Sequence, residues 1–231
     1  MEKLFDRQRV RNAAERDEDR RQLQALLARV DDEQLALGYW ERVVDGLIFL
    51  DEDHWDYQQR RYIADQMKSL RDRQMAENLL WLRARHPNER FIVLNHNGHI
   101  VRESLPTTCR IPEHYHGPDP IVPMGRWLAS RLGPDYVAIG LSAASGQSGL
   151  PRGEVMPVEA AGADSLEFAA LGAGTDWIFL DRATLRAQGP RASGHLTEPP
   201  GPSLEWARFF DGLIAFSRMT PNRLRPGCTR L

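Results

Sequence analysis

An unbroken apolar run, Phe91 to Leu94, ends abruptly in a polar segment that contains two histidines. Consecutive apolar residues without alternation are typical of a strand that is covered on both faces of a sheet. His96 and His99 follow at the carboxyl end of the predicted strand, where open α/β sheets bind their ligands. The segment therefore predicts an α/β fold with a candidate site beside these histidines.

A helix is predicted immediately before this strand, because apolar residues recur at three- and four-residue steps until Pro87 ends the pattern. A helix rises about 1.5 Å per residue and a strand about 3.3 Å. At these rises, Arg71, Asp72 and Met75 of the helix lie about as far from the turn as His96 does at the end of the strand. We predict that Arg71 or Asp72 lies within salt-bridge or water-bridged reach of the histidine pair. The alternative is an ordinary solvated surface pair.

The remaining elements complete the α/β pattern, with a mostly parallel sheet flanked by helices. Their predicted bounds are Met124–Leu132 and Ser165–Leu171 for helices, Tyr136–Leu141, Trp177–Leu180 and Leu213–Phe216 for strands, and Ser142–Gly149 for a small-residue loop. In this arrangement Ser142 and Asp181 lie at strand ends that face the same rim as His96, Asn97 and His99. Residues 1–54 are predicted to form a helical arm or lid, and residues 55–231 the α/β domain.

Several motifs follow one another in register along residues 40–225. They are Arg71-Asp72-x-x-Met75-Ala76-x-Asn78, His96-Asn97-Gly98-His99-Ile100, Met124-Gly125-x-x-Leu128, and Phe210-Asp211-Gly212-Leu213-Ile214 with Thr220-Pro221. In this order the motifs resemble those of the erythromycin esterase family. Each motif is weakly specific alone, and their common order carries the resemblance.

The resemblance implies hydrolysis of a carboxylic ester or macrolide lactone by activated water, as in macrolide resistance. A histidine serves that family as general base, which is typically worth about a hundred- to ten-thousand-fold in rate. The resemblance implies neither a metal nor another cofactor. It implies that His96 and His99 are catalytic residues, and that Arg71, Asp72, Asn97 and Met75 bind substrate.

One departure from the family pattern affects the activity. The family carries its principal base in an amino-terminal Gly-Glu-x-x-His segment, whereas Gly153-Glu154 is followed here by Val155, Met156 and Pro157. We therefore expect this chain to correspond to the carboxyl-terminal portion of such an enzyme. The alternative is a non-catalytic small-molecule-binding fragment or module on the same scaffold. The expected partners are a small-molecule substrate and, at an exposed sheet edge, a second copy or a separate amino-terminal half.

A metallohydrolase is the second enzymatic alternative. His114 and His116 lie in a proline-rich loop close in sequence to His96 and His99, and such histidine spacings resemble zinc ligands. Neither histidine pair lies on a predicted helix, as it would in the common metalloprotease motif. A polar loop without metal is the favoured interpretation.

Composition excludes several classes of protein. The 231 residues carry a net charge of −2 without a basic stripe, which argues against a nucleic-acid partner. The apolar runs are too short to span a bilayer, so no membrane association is expected. Cys109 and Cys228 match no zinc or redox spacing, and no secretory signal is visible at the start. A cytoplasmic location is the default expectation.

Overall fold

The structure, a computed structural model, describes residues 12–27, 42, 46–47, 64–105, 122–149, 155–171, 174–193, 196 and 203–221. The chain divides into two compact units, Met1–Phe91 with Tyr115–Val122 and Ile92–His114 with Pro123–Leu231. The predicted division into an arm, 1–54, and a domain, 55–231, stays a prediction.

The described part of the first unit is mainly helical. Helix α1 (Ala13–Leu27) begins with a reciprocal cap, because the backbone N–H of Glu15 donates to Asn12 and that of Asn12 donates to Glu15. Helix α2 (Ala64–Arg85) ends just before Pro87, as its sequence predicts. The start predicted for it, near Trp55, lies outside the described residues.

The apolar run Phe91–Leu94 is not the buried strand that its sequence predicts. The segment is not part of either described sheet, and Ile92 and Leu94 are 93% and 90% exposed. Burial of an apolar run is favourable, but it requires neighbouring strands or helices that pack against the run. The prediction of a strand covered on both faces is wrong for these residues.

The main sheet of the second unit has the strand order β1-β5-β4, with β1 at Ile139–Ala143, β4 at Trp177–Asp181 and β5 at Gly212–Phe216. Strands β1 and β5 are parallel, whereas β4 and β5 are antiparallel. The fold is α/β, but the prediction of a mostly parallel sheet is not confirmed.

The first strand of a second, two-stranded antiparallel sheet lies in the segment predicted as a small-residue loop, Ser142–Gly149. This sheet pairs β2 (Gly146–Gly149) with β3 (Val155–Val158). Glycine and serine have low strand propensity, so the sequence gives little indication of this hairpin. The loop prediction is wrong over β2.

Short helices pack against the main sheet or against one another. They are α3 (Asn97–Ile100), α4 (Met124–Leu132), α5 (Leu166–Leu171) and α6 (Arg182–Ala187), with 3-10 turns at Gly133–Asp135 and Trp206–Arg208. Helix α4 has its predicted bounds and ends at Gly133, whose φ of 55° favours glycine. Helix α5 has its predicted serine cap, since Ser165 Oγ accepts from the backbone N–H of Phe168.

The core lies between these helices and the sheet. Its largest fully buried side chains include Trp206, Phe210, Leu213, Leu166 and Leu185. Among the described residues, no helix combines the length and the apolar character needed to cross a membrane.

Candidate active site

Helix α3 holds the two histidines of the candidate site. His96 is its N-cap residue, and the His96 Nδ1 atom accepts a hydrogen bond of 3.2 Å from the backbone N–H of Gly98. The ring centroids of His96 and His99 lie 6.3 Å apart with the rings edge to face. The His96 side chain is exposed and that of His99 is half-buried, so a ligand can reach this pair.

The hydrogen bond to His96 Nδ1 fixes how the ring can act. An imidazole nitrogen that accepts a hydrogen bond carries no proton, so this contact favours the neutral tautomer of His96 that has its proton on Nε2. In that tautomer the Nε2 atom is a hydrogen-bond donor rather than a base. This tautomer suits a group that orients or polarises a substrate oxygen.

Asn97 attaches α3 to the sheet. Its side-chain amide donates to the Leu141 carbonyl over 2.8 Å and accepts from the Leu141 backbone N–H over 3.1 Å. The amide thus pairs with the strand as a neighbouring backbone would. This contact gives Asn97 a structural role, while its predicted role in binding substrate stays a prediction.

The carboxyl end of α3 is also held tightly. Tyr136 donates its hydroxyl proton to the Ile100 carbonyl, and burial raises the pKa of the Tyr136 hydroxyl far above its usual range. Gly125 of α4 lies so close that a Cβ atom there would be 2.2 Å from the Ile100 carbonyl oxygen. These contacts position the histidine helix against β1 and α4.

The other predicted substrate-binding residues, Arg71, Asp72 and Met75, lie on α2 in the first unit. Asp72 is buried with 3% exposure, Met75 is half-buried and Arg71 is exposed. Asp72 shares the buried face of α2 with Ala76, one turn away. The predicted proximity of Arg71 or Asp72 to His96 or His99 stays a prediction.

Two further residues predicted at the same rim lie elsewhere. Ser142 is 1% exposed, and its hydroxyl donates to Glu167 on the covered face of the sheet. Asp181 pairs with Gly212, at the opposite end of β5 from the residue that pairs with Ser142, because β4 runs antiparallel. The expectation of one shared rim is therefore wrong for Asp181. Ser142 directly follows Leu141, the residue that Asn97 contacts, but its side chain lies on the buried face instead of at the rim.

Asp181 serves instead as the N-cap of α6, where it accepts a 2.8 Å hydrogen bond from the Thr184 backbone N–H. That bond is the main reason why the pKa of Asp181 is lowered. A lowered pKa stabilises the fold at pH values above the unfolded-state pKa of about 3.9. The stabilisation is lost as the pH falls through the pKa of the folded state.

We expect Asp181→Asn, which keeps the cap acceptor without the charge, to melt below wild type at pH 7 and to approach it at acidic pH. Thermal unfolding followed by circular dichroism between pH 2 and pH 7 measures the difference. Asp181→Ala should lower the melting temperature more than Asp181→Asn throughout. A constant gap between wild type and Asp181→Asn across that range would contradict the cap assignment.

Two polar clusters in the second unit were not identified as such from the sequence. At the amino ends of β1 and β5, Asp211 accepts from Arg102 over 2.7 Å, from Arg182 over 3.3 Å and from the Ala138 backbone N–H over 2.9 Å. Asp211 lies in one of the family-like motifs and Arg102 lies beside another, and this was the sequence signal that could have indicated the cluster. Their position at the amino ends of the strands favours a structural role.

The second cluster is buried behind β1. Glu167 Oε1 accepts hydrogen bonds from the hydroxyls of Ser142 and Ser193, and the three residues are at most 1% exposed. No sequence signal links residues so far apart in the chain. Their burial leaves no access for a ligand.

The metal alternative is tested only in part. Across the described ranges, no group of three or more His, Cys, Asp or Glu side chains could hold a metal ion. His114 and His116 lie outside those ranges, so their predicted roles stay predictions.

A family model described as erythromycin esterase matches residues 2–218. No curated protein matches the chain.

Solved structures share the fold at low sequence identity. A succinoglycan biosynthesis protein matches with a TM-score of 0.63 at 16% identity, over 90% of this chain and 51% of that chain. A mutant of the erythromycin esterase EreC in its open conformation matches with a TM-score of 0.56 at 18% identity, over 89% and 53%. A protein from Bacillus cereus matches with a TM-score of 0.61 at 18% identity, over 90% and 53%. The chain thus spans about half the length of these structures.

Proposed function

Because the chain belongs to the erythromycin esterase family, we propose that it takes part in the hydrolysis of a carboxylic ester or macrolide lactone by supplying the substrate-binding part of the site without the base that activates water, with His96 and His99 contacting the substrate. The observation that carries this proposal is the accessible histidine pair on α3, in which the cap contact occupies His96 Nδ1 and leaves Nε2 as the donor. Arg71, Asp72, Met75 and Asn97 are proposed to shape the surrounding substrate site.

Hydrolysis requires a base that removes a proton from water while the water oxygen attacks the carbonyl carbon. Negative charge then develops on the former carbonyl oxygen, where a fixed N–H donor stabilises it. The His96 Nε2–H group suits the second task. We therefore assign His96 to polarising the carbonyl, and the step that activates water requires a base beyond His96.

The alternative is a module that binds a small molecule without transforming it. The tautomer of His96 favours this alternative, because an N–H donor at Nε2 can bind a carbonyl oxygen but cannot take a proton from water. A structural neighbour described as a succinoglycan biosynthesis protein indicates that the shared fold is not confined to one activity. In both cases the proposed partner is a small molecule, without nucleic acid or membrane, and the proposed location is the cytoplasm.

Three replacements at position 96 test separately whether His96 acts as a hydrogen-bond donor to the ligand, as the helix cap or as a base. We expect the chain to bind erythromycin with little or no hydrolysis, and His96→Ala to weaken binding about fivefold, the worth of one hydrogen bond. His96→Gln carries a distal N–H donor and should retain more affinity. His96→Asn retains the cap acceptor for Gly98 but not the distal donor, so it should keep the fold and lose the affinity. Equilibrium dialysis measures binding and mass spectrometry measures the opened lactone.

Turnover at ordinary enzyme rates that both His96→Ala and His96→Gln abolish would show that His96 is the base. That result would overturn the role assigned to His96. Binding that none of the three replacements changes would place the substrate elsewhere. Arg186→Ala, on the exposed side of α6, is the matched surface control and should behave as wild type.

A further inference from the structure

One face of the main sheet is apolar and open to solvent. The strand register aligns Leu141 of β1, Ile214 of β5 and Phe179 of β4 across the sheet, and Phe216 with Trp177 and the buried Ala143 in the next row. Side chains two residues apart on a strand share a face. The open face therefore comprises Val137, Ile139, Leu141, Ile214, Phe216, Trp177 and Phe179.

These side chains are far more exposed than apolar residues of a sheet usually are. Trp177 is 58% exposed, Phe179 49% and Leu141 48%. On the other face, Gly140, Ser142, Leu213 and Leu180 are buried. A sheet of an α/β fold normally has both faces covered, whereas the described residues cover only one face of this sheet.

The area of the open face reaches the lower limit for a specific interface between two copies. With full areas of roughly 150–250 Å² for large side chains, the exposed fractions correspond to about 500 Å² per copy. Two copies would bury about 1,000 Å², the size at which a specific interface is expected. Soluble monomers rarely expose an apolar patch of this extent without a partner.

We propose that the open face is the interface of a homodimer in which two copies pack sheet against sheet. A second copy offers the same uncharged apolar surface, so a two-fold axis closes the assembly and leaves no further open face. Packed sheets lie about 10 Å apart, with their side chains interdigitated. Asp181, at the end of β4, lies on the polar rim of this face. The proposal does not depend on the proposed function.

Sedimentation equilibrium of the full chain tests the dimer, with an expected mass of twice 26.3 kDa. Trp177→Asp and Leu141→Asp should each raise the dissociation constant about thirtyfold or more, since each places a charge in the centre of an apolar interface. Both side chains are exposed in the single copy, so the far-ultraviolet circular dichroism spectrum should not change. Phe168→Asp is the matched control, because Phe168 is 59% exposed but lies on α5 at the covered side. It should leave the dissociation constant unchanged.

Three results would overturn the proposal. A dimer that neither aspartate variant weakens would place the interface elsewhere. A monomer in which iodide quenches the fluorescence of Trp177 would leave the face open for another kind of partner. A monomer in which Trp177 is protected from iodide would show that another segment of the same chain covers the face. The Trp177→Phe variant identifies the contribution of Trp177 to the quenching.

Discussion

Gly125→Ala is expected to destabilise the fold by about 3 kcal/mol or more, because overpacking against backbone cannot be relieved by a rotamer change. The added Cβ atom would meet the Ile100 carbonyl oxygen at 2.2 Å and the Val101 carbonyl oxygen at 2.5 Å. Alanine is otherwise better than glycine inside a helix by about 1 kcal/mol. A loss of stability would therefore be the opposite of the gain that a glycine-to-alanine replacement in a helix usually gives.

Urea denaturation followed by circular dichroism measures the change, and Gly46→Ala provides the matched control. Gly46 is also helical, and a Cβ atom there would meet nothing within 4 Å. We expect that control to be neutral or stabilising. If Gly125→Ala were as stable as wild type, α4 could not pack on α3 as the structure shows. In the variant, α3 should also shift and weaken ligand binding through His96.

Local sequence signals predicted the elements whose ends are defined by a cap or a breaker. Helix α4 has its predicted bounds, because Pro123 precedes it and Gly133-Pro134 ends it. The Ser165 cap of α5 could likewise be predicted from local sequence. Strands β4 and β5 were placed to within one residue, since each is a short apolar run between turn residues.

Strand direction and burial could not be predicted in the same way, because both depend on distant parts of the chain. Trp177 and Phe179 have the sequence character of core residues, yet the structure leaves them exposed. The antiparallel direction of β4 follows from the path of the chain between β4 and β5, and no single residue specifies it. This direction alone moves Asp181 away from the candidate site.

For the candidate site, the sequence motif suggested the two histidines but not their chemistry. His96 was recognisable from its motif, whereas its tautomer depends on the Gly98 N–H group that the helical turn brings to Nδ1. The extended strand predicted for this stretch would not have formed that contact. Whether His96 acts as a base or as a donor therefore depends on the helical turn Asn97–Ile100, which brings the Gly98 N–H group to Nδ1.

The buried cluster behind β1 leads to the second large expected effect. Glu167→Ala should cost about 3 kcal/mol of unfolding free energy, because two buried hydroxyls lose their acceptor and the missing side chain leaves a cavity. The Glu167 Oε1 atom lies 2.5 Å from the hydroxyl oxygens of both Ser142 and Ser193. The cluster joins β1, α5 and the segment that follows α6, so its loss should loosen all three.

Two variants separate the acceptor from other contributions of Glu167. Glu167→Gln keeps a carbonyl oxygen for both hydroxyls and should cost less than Glu167→Ala, while Ser142→Ala removes one hydrogen bond and should cost about 1 kcal/mol. Phe168→Ala, at the exposed neighbouring position of α5, is the control and should change stability little. Urea denaturation measures all four variants. Equal losses for Glu167→Gln and Glu167→Ala would show that the shared acceptor is not what stabilises the cluster, because glutamine supplies the same acceptor in nearly the same volume.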